Sequence, residues 1–428
     1  MSTSSKSITL HPKKLSGIVQ IPPSKSLAHR AIICAALCKS TDKSKIYNID
    51  FSDDIISTIA AMESLGAVIE KQSDHLLVTG AMGATPQQKR IIDCNESGST
   101  LRFMVPISLL FDGVTNFIGR GNLGKRPLNT FYEIFDRQNI KYTATKDILD
   151  LTVEGRLQPD TYYMAGDISS QFISGLMFSL PLLQEDSIIK ITTELESKPY
   201  LDLTIDALEK FGIKIDNKNY KEFHIKGNQS YKSTDYRVEG DHSQGAFFLS
   251  ANALGSQISI ADLLPESKQA DKNVITILQD MGVDIKKDNG LLITTSTNLK
   301  NTTIDASQNP DIIPVLSVVA ALTPGTTKII NGARLRIKEC DRLTAMTTEL
   351  NKLGANVVED DTTMTIHGIK EFEGGCHVWS WNDHRIAMSL AIAATRCKKP
   401  IVLQDPDCVA KSYPHFYEDY KNLGGHIE

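Results

Sequence analysis

The basic residues best placed to do chemistry lie at or near short polar clusters. Lys25 and Arg30 follow Pro23-Ser24, and Arg102 follows Asn95-Glu96-Ser97-Gly98-Ser99-Thr100. Lys125-Arg126-Pro127 closes the glycine-rich stretch Gly119-Arg120-Gly121-Asn122-Leu123-Gly124. Lys338 and Arg342 flank Glu339-Cys340-Asp341, Arg385 follows Trp381-Asn382-Asp383-His384, and Lys411 lies in Cys408-Val409-Ala410-Lys411-Ser412-Tyr413. Guanidinium forks match carboxylates and phosphates. Ser, Asp and Asn are the residues that open helices, and a helix start offers unpaired N–H groups and the positive end of its dipole. Three more clusters, Gly166-Asp167-Ile168-Ser169-Ser170-Gln171, Gly240-Asp241-His242-Ser243 and Asn309-Pro310-Asp311, bring the helix-opening sites to six. Such a set predicts a site for small polyanions. The glycine-rich stretch is not GxxxxGK[ST] and lacks the strand–helix setting of a phosphate loop, so no nucleotide fingerprint is present.

The elements that must position these residues come from an internal repeat. An apolar-periodic helix, a turn residue and an alternating strand recur with the turn residue at Gly66, Asn139, Gly212, Gly282, Gly354 and Gly424. The spacings are 73, 73, 70, 72 and 70. Gly and Asn are the residues that end helices in the left-handed conformation. A second strand follows, as in residues 75–79, 149–153, 291–294 and 364–367, then a third, then a polar cluster that opens the next helix. The sixth copy runs out before its second strand. Residues 7–11 and 17–21 supply what it lacks, so the N-terminal strands are expected to complete it. Six units divide into three plus three. The expected domains are 1–21 with 240–428, and 22–239. Two crossings between them predict hinge closure around ligand.

Composition sets the outer bounds. The chain has 428 residues, enough for two domains. Its net charge of −5 and the lack of a basic–aromatic stripe argue against nucleic acid as a partner. No run approaches the ~18 apolar residues of a membrane span. Residues 1–6 lack the apolar core of a signal peptide. Seven cysteines without a CxxC, of which only Cys34 and Cys38 are close, fit buried thiols in a reducing cytoplasm rather than a disulfide or metal framework.

Several blocks resemble the 3-phosphoshikimate 1-carboxyvinyltransferase (5-enolpyruvylshikimate-3-phosphate synthase) family: residues 23–31, Glu96 to Arg102, Lys125-Arg126-Pro127, Ser169 to Phe172 and Ser197 to Tyr200. Val238 to Asp241, Pro310-Asp311, Lys338 to Arg342, Asn382 to Arg385 and Ala410-Lys411 continue the match in order over essentially the full length. The resemblance implies a two-domain inside-out α/β barrel of six βαβαββ-type units, three per domain. It implies transfer of the enolpyruvyl group of phosphoenolpyruvate to the 5-hydroxyl of shikimate 3-phosphate, on the route to chorismate and the aromatic amino acids, with no cofactor and no metal. A monomer that binds two small molecules is the expectation.

Residue by residue, the resemblance implies Asp311, Glu339 and Lys25 as catalytic groups. Lys25, Ser26, Arg30, Ser169, Ser170, Gln171, Ser197, Tyr200, Asp311, Arg334 and Lys338 fall on the shikimate 3-phosphate side. Lys25, Gly98, Arg126, Gln171, Arg342, Arg385 and Lys411 fall on the phosphoenolpyruvate side. His384 either tunes the site or caps its helix. Glu96 and Arg334 stand where many members have Asn. Enolpyruvyl transfer to a UDP-amino sugar is the nearest alternative, but it calls for Lys-Asn where Lys25-Ser26 stands and for a Cys near Leu123–Arg126. A non-catalytic phosphosugar-binding module would not need Asp311 and Glu339 beside the cations.

Overall fold

The six turn residues all adopt positive φ, with values of 102°, 55°, 84°, 89°, 93° and 92° from Gly66 to Gly424. Each ends a helix and aims the chain into the strand behind it, as the repeat requires. The structure, a computed structural model, describes residues 6–85 and 87–428; the reading of residues 1–5 as no signal peptide lies outside the described residues.

Among the described residues twelve α-helices alternate in role. They are α1 (Lys25–Ala36), α2 (Asp53–Ser64), α3 (Gly98–Ser108), α4 (Asn129–Gln138), α5 (Ser170–Ser179), α6 (Lys198–Lys210), α7 (His242–Ala253), α8 (Asn273–Asp280), α9 (Ile313–Ala321), α10 (Arg342–Lys352), α11 (His384–Ala394) and α12 (Phe416–Asn422). The odd-numbered helices follow the polar clusters and are buried almost throughout; every residue of α9 and of α11 is buried. The even-numbered ones end at the repeat turns and keep a solvent face. In α4 the buried residues are Phe131, Ile134 and Phe135, the i, i+3, i+4 stripe of an amphipathic helix. Helices therefore fill the interior and sheets wrap them, an inside-out α/β arrangement.

Each repeat builds a four-stranded sheet of the same order. In the first, Tyr236–Arg237 runs parallel to Lys43–Tyr47, which pairs antiparallel with His75–Thr79 and through it with Val68–Lys71. The parallel strand is the third strand of another repeat. Lys89–Asp93 thus passes to Val114–Ile118, and Thr161–Met164 to Ser187–Ile191. The N-terminal strands enter two of these sheets. Ser7–His11 lies between Ile401–Gln404 and His426–Ile427, as second strand of the sixth repeat. Ser16–Gln20 pairs parallel with Gln257–Ala261 of the fourth.

Contacts divide the chain into two compact units, Met1–Pro22 with Gly240–Glu428, and Pro23–Glu239. We call them the discontinuous and the continuous unit. Pro22 falls one residue on the other side of the crossing expected at 21/22. Its carbonyl accepts from Asp241 N–H at 2.9 Å, which ties it to the discontinuous unit. Each unit has its own apolar core.

Candidate functional site

In the continuous unit the named residues come from the first turns of α1, α3, α5 and α6, and Arg126 from the loop before α4. Ser24, Ser97 and Ser169 cap the first three, each accepting a backbone N–H in the first turn. Lys25 then projects from the first residue of α1, and its Nζ donates to Asp54 Oδ2 at 2.6 Å. One turn on, Arg30 is buried. It donates to Thr204 Oγ1 at 2.9 Å and to the carbonyls of Ser26 and Tyr200 at 2.7 and 3.2 Å, and it lies over the Phe103 ring. Burial lowers its pKa to about 10, so it stays cationic at neutral pH. Ser197 is buried with φ of 56°, a left-handed conformation that a non-glycine residue adopts only under constraint. It sits where α6 begins, and its carbonyl accepts from Tyr200 N–H at 3.1 Å.

Gly98 and Gly175 set the second part of this cluster. A Cβ on Gly175 would stand 2.4 Å from the Arg102 carbonyl oxygen, so α3 and α5 meet this closely only because it is glycine. That approach lets Gln171 accept from Arg102 at 2.8 Å and donate to Ser99 Oγ at 2.9 Å. A Cβ on Gly98 would stand 2.6 Å from Nη1 of Arg126. Arg126 therefore lies over the bare start of α3, where backbone N–H groups and the guanidinium can meet one anion. A buried hydroxyl chain ties the two parts together. His29 Nδ1, Thr58 Oγ1, Thr100 Oγ1 and Ser97 Oγ follow one another at 2.7, 2.7 and 2.8 Å. Burial, then Lys25 and Arg30, push the His29 pKa well below its usual value, so the ring is neutral.

The discontinuous unit carries a denser ionic network. Asp311 Oδ1 accepts from Arg342 at 2.7 Å and lies 3.7 Å from Lys338; its Oδ2 is 3.2 Å from Arg385. Burial alone would raise its pKa, but Arg385, Lys338 and Arg342 hold it well below the usual carboxylate range. Arg342 also donates from Nε to Asp383 at 2.8 Å. Asp383 caps α11 by accepting from Arg385 N–H at 2.8 Å. His384 is thus not the cap. Its Nδ1 lies 2.9 Å from Glu339 Oε2. Burial works against ionisation of Glu339, yet His384, Lys411 and Arg342 hold its pKa well below normal. Lys411 donates to the Asn382 carbonyl at 2.6 Å. Lys338 is drawn down to about 8, by burial first and by Arg334, Arg342 and Arg385 against the pull of Asp311. Arg334, nearly buried on the turn Ala333–Ile337, thus acts on Lys338 through charge.

One sequence expectation fails locally. Asn309-Pro310-Asp311 does not open its helix: α9 starts at Ile313 without a side-chain cap. Cations claim the Asp311 carboxylate, and Asn309 Oδ1 is spent accepting from Asn273 Nδ2 at 3.1 Å. Sequence reasoning also passed over three acids. Asp54 holds Lys25, Asp383 holds Arg342, and Asp271 is buried beside Asp311. Burial and the Asp311 charge raise the Asp271 pKa to about 6, and it accepts a hydrogen bond from Ser243 Oγ. Nothing in Ser52-Asp53-Asp54 distinguishes it from an ordinary helix start. Asp383 stood inside a recognised block but read as a cap. Glu339, Asp383 and His384 offer three donor atoms within 4.8 Å of one another. The Arg342 guanidinium already supplies positive charge there.

Comparisons with known proteins agree on one family. Residues 10–420 match the family described as EPSP synthase (3-phosphoshikimate 1-carboxyvinyltransferase). The 3-phosphoshikimate 1-carboxyvinyltransferase of Clostridioides difficile is 60% identical over 431 residues, covering 99% of this chain and 98% of that one. An EPSP synthase structure from Acinetobacter baumannii superposes with a TM-score of 0.80 at 23% identity, over 99% of both chains. The enolpyruvyl transferase NikO from Streptomyces tendae superposes with 0.79 at 18% identity, over 99% of this chain and 98% of that one. The last two speak for the fold alone.

Proposed function

We infer the activity of this chain from the EPSP synthase (3-phosphoshikimate 1-carboxyvinyltransferase) family, to which it belongs. It transfers the enolpyruvyl group of phosphoenolpyruvate to the 5-hydroxyl of shikimate 3-phosphate and releases phosphate, a step of aromatic amino-acid biosynthesis. We propose that the clusters of both units serve this one substrate pair and that the units are the enzyme's two domains. Each substrate carries a carboxylate and a phosphate, about −5 to −6 in total. Lys25, Arg30, Arg126, Lys338, Arg342, Arg385 and Lys411 answer that charge.

The reaction needs proton transfers at two places. The 5-hydroxyl oxygen bonds to C2 of phosphoenolpyruvate and gives up its proton. C3 gains a proton, leaving a tetrahedral carbon that bears phosphate, carboxylate and methyl groups. C3 then loses a proton, the C2–O bond to phosphate breaks, and the double bond re-forms. Asp311 is the base for the hydroxyl. Its position between Arg342, Arg385 and Lys338, three cations that favour the carboxylate form, is the observation that carries this reading. The C3 transfers belong to Glu339: it takes a proton from His384, 2.9 Å away, and passes it to C3, assisted by Lys25. In its ionised form Glu339 is ready for the elimination. Ser26, Ser169, Ser170, Gln171, Ser197 and Tyr200 hold shikimate 3-phosphate with Lys25, Arg30, Arg334 and Lys338. Gly98, Arg126, Gln171, Arg342, Arg385 and Lys411 hold phosphoenolpyruvate.

No helix among the described residues is long and apolar enough to cross a membrane. The seven cysteines are unpaired. We propose a monomer working in the cytoplasm. The test is phosphate release from phosphoenolpyruvate with shikimate 3-phosphate or a UDP-amino sugar as acceptor. Release with the first alone is expected. Release with the second alone would overturn the acceptor assignment, and release with neither would leave only a binding module.

A further inference from the structure

We propose that His11, His426 and Glu428 form a binding site for one divalent transition-metal ion of the zinc type, separate from the residues assigned to catalysis. The three donors come from the two strands that complete the sixth repeat. His11 and His426 are direct cross-strand partners. Two backbone bonds fix the register beside them: Thr9 N–H donates to the Glu428 carbonyl at 2.7 Å, and Glu428 N–H to that of Thr9 at 2.9 Å. The imidazole rings stack with centroids 4.1 Å apart and planes 19° from parallel. Both present Nε2 to the same carboxylate, His11 at 3.4 Å from Oε2 and His426 at 3.4 Å from Oε1.

These distances fit a metal better than they fit hydrogen bonds. With bonds of about 2.0–2.1 Å, the ligand atoms of a tetrahedral zinc site stand about 3.3 Å apart. One donor from each of the three residues lies within 4.8 Å of both others. His11 Nε2 is shielded from solvent and makes no hydrogen bond among the described residues. Two imidazole nitrogens and one carboxylate oxygen select zinc, cobalt, nickel or copper over magnesium and calcium, which require oxygen shells. The solvent side of the site, where the His426 and Glu428 side chains are half exposed or more, leaves room for a water as fourth ligand.

The consequence is structural. A bound ion staples the strand Ser7–His11 to the strand His426–Ile427, and so locks the piece of the sixth repeat that the N-terminal segment supplies. An ion that binds only the paired strands stabilises the folded chain by mass action.

The test uses the untagged full-length protein, stripped with EDTA and desalted, titrated calorimetrically with Zn²⁺ and with Mg²⁺. One equivalent of Zn²⁺ is expected to bind at least roughly tenfold tighter than Mg²⁺ and to raise the thermal midpoint. His426→Gln and Glu428→Gln should each lose that equivalent and that rise. Both should keep the phosphate-release activity of the parent, which also reports that they fold. Zinc binding no tighter than magnesium, or the same zinc binding in either variant, overturns the proposal.

Discussion

The continuous and discontinuous units are built from the same repeat and put opposite chemistries at their helix starts. In the continuous unit the interior is tied by hydroxyls and amides: Ser97, Thr100, Thr58, His29, Gln171 and Ser99. Lys25 and Asp54 form a close ion pair there. In the discontinuous unit Asp311, Glu339, Asp383 and Asp271 interleave with Arg342, Arg385, Lys338 and Lys411, and their pKa values are moved in both directions. Neutral donors recognise an anion without competing for protons. Coupled acids and cations hold groups poised to exchange them. The repeat thus supplies a scaffold, and the residue types at the helix starts make one unit's cluster rich in hydroxyls and the other's ionic.

Removing the central acid tests that division most severely. Asp311→Asn should fold, because Arg342 keeps Asp383, and should lose turnover by at least ~100-fold in a phosphate-release assay. Lys25→Ala should match it, as the continuous unit's single candidate for proton work. Near-normal turnover in either removes that residue from the mechanism. The hydroxyls should behave otherwise. Ser170→Ala should raise KM for shikimate 3-phosphate about tenfold with little change in kcat, the scale of one lost hydrogen bond to a charged group. A kcat loss as deep as that of Asp311→Asn would show that the two units do not divide the labour in this way.

The residues of this comparison were unequally legible in the sequence. Turns and caps are local chemistry, so the six left-handed turn residues and the caps Ser24, Ser97, Ser169, Asp241 and Asp383 follow from residue type and period. The candidate catalytic residues were legible only as members of ordered blocks. Their partners were not. Lys25 meets Asp54 across 29 residues and Arg342 meets Asp383 across 41, and no local pattern encodes such a pairing. Nor does one encode Glu349, fully buried on α10, which receives the Trp381 indole N–H at 2.8 Å and the Trp379 backbone N–H at 3.1 Å. That carboxylate pins the left-handed turn Trp381-Asn382 from which α11 begins.

The perturbed lysine gives the next test, smaller in size. The Lys338 pKa of about 8 in the free protein means its charge is present below that pH and lost above it. Because the ammonium form attracts the anionic substrate, kcat/KM for shikimate 3-phosphate should fall by up to ~10-fold per pH unit above 8. Lys338→Arg, which stays charged, should carry that limb to higher pH. An alkaline limb that does not move in the variant assigns it to another group.

The finest test concerns Asp271, where the dense acid network costs stability. Its folded pKa of about 6 exceeds the ordinary 3.8, since burial and the Asp311 charge disfavour ionisation. The folded state therefore binds more protons than the unfolded state between those two values. Stability must decline as pH rises from about 3.8 to 6, and above 6 the whole penalty remains. Two pKa units correspond to about 3 kcal/mol. Asp271→Asn keeps a side chain able to accept from Ser243 Oγ and carries no charge. At pH 7 it should raise the thermal midpoint, and at pH 4 the gain should nearly vanish. In the continuous unit the buried Thr100 hydroxyl has no charge to gain or lose, so Thr100→Val there should shift the midpoint equally at both pH values. A midpoint lowered by Asp271→Asn at pH 7 would mean that the cations around Asp311 hold the Asp271 carboxylate as well.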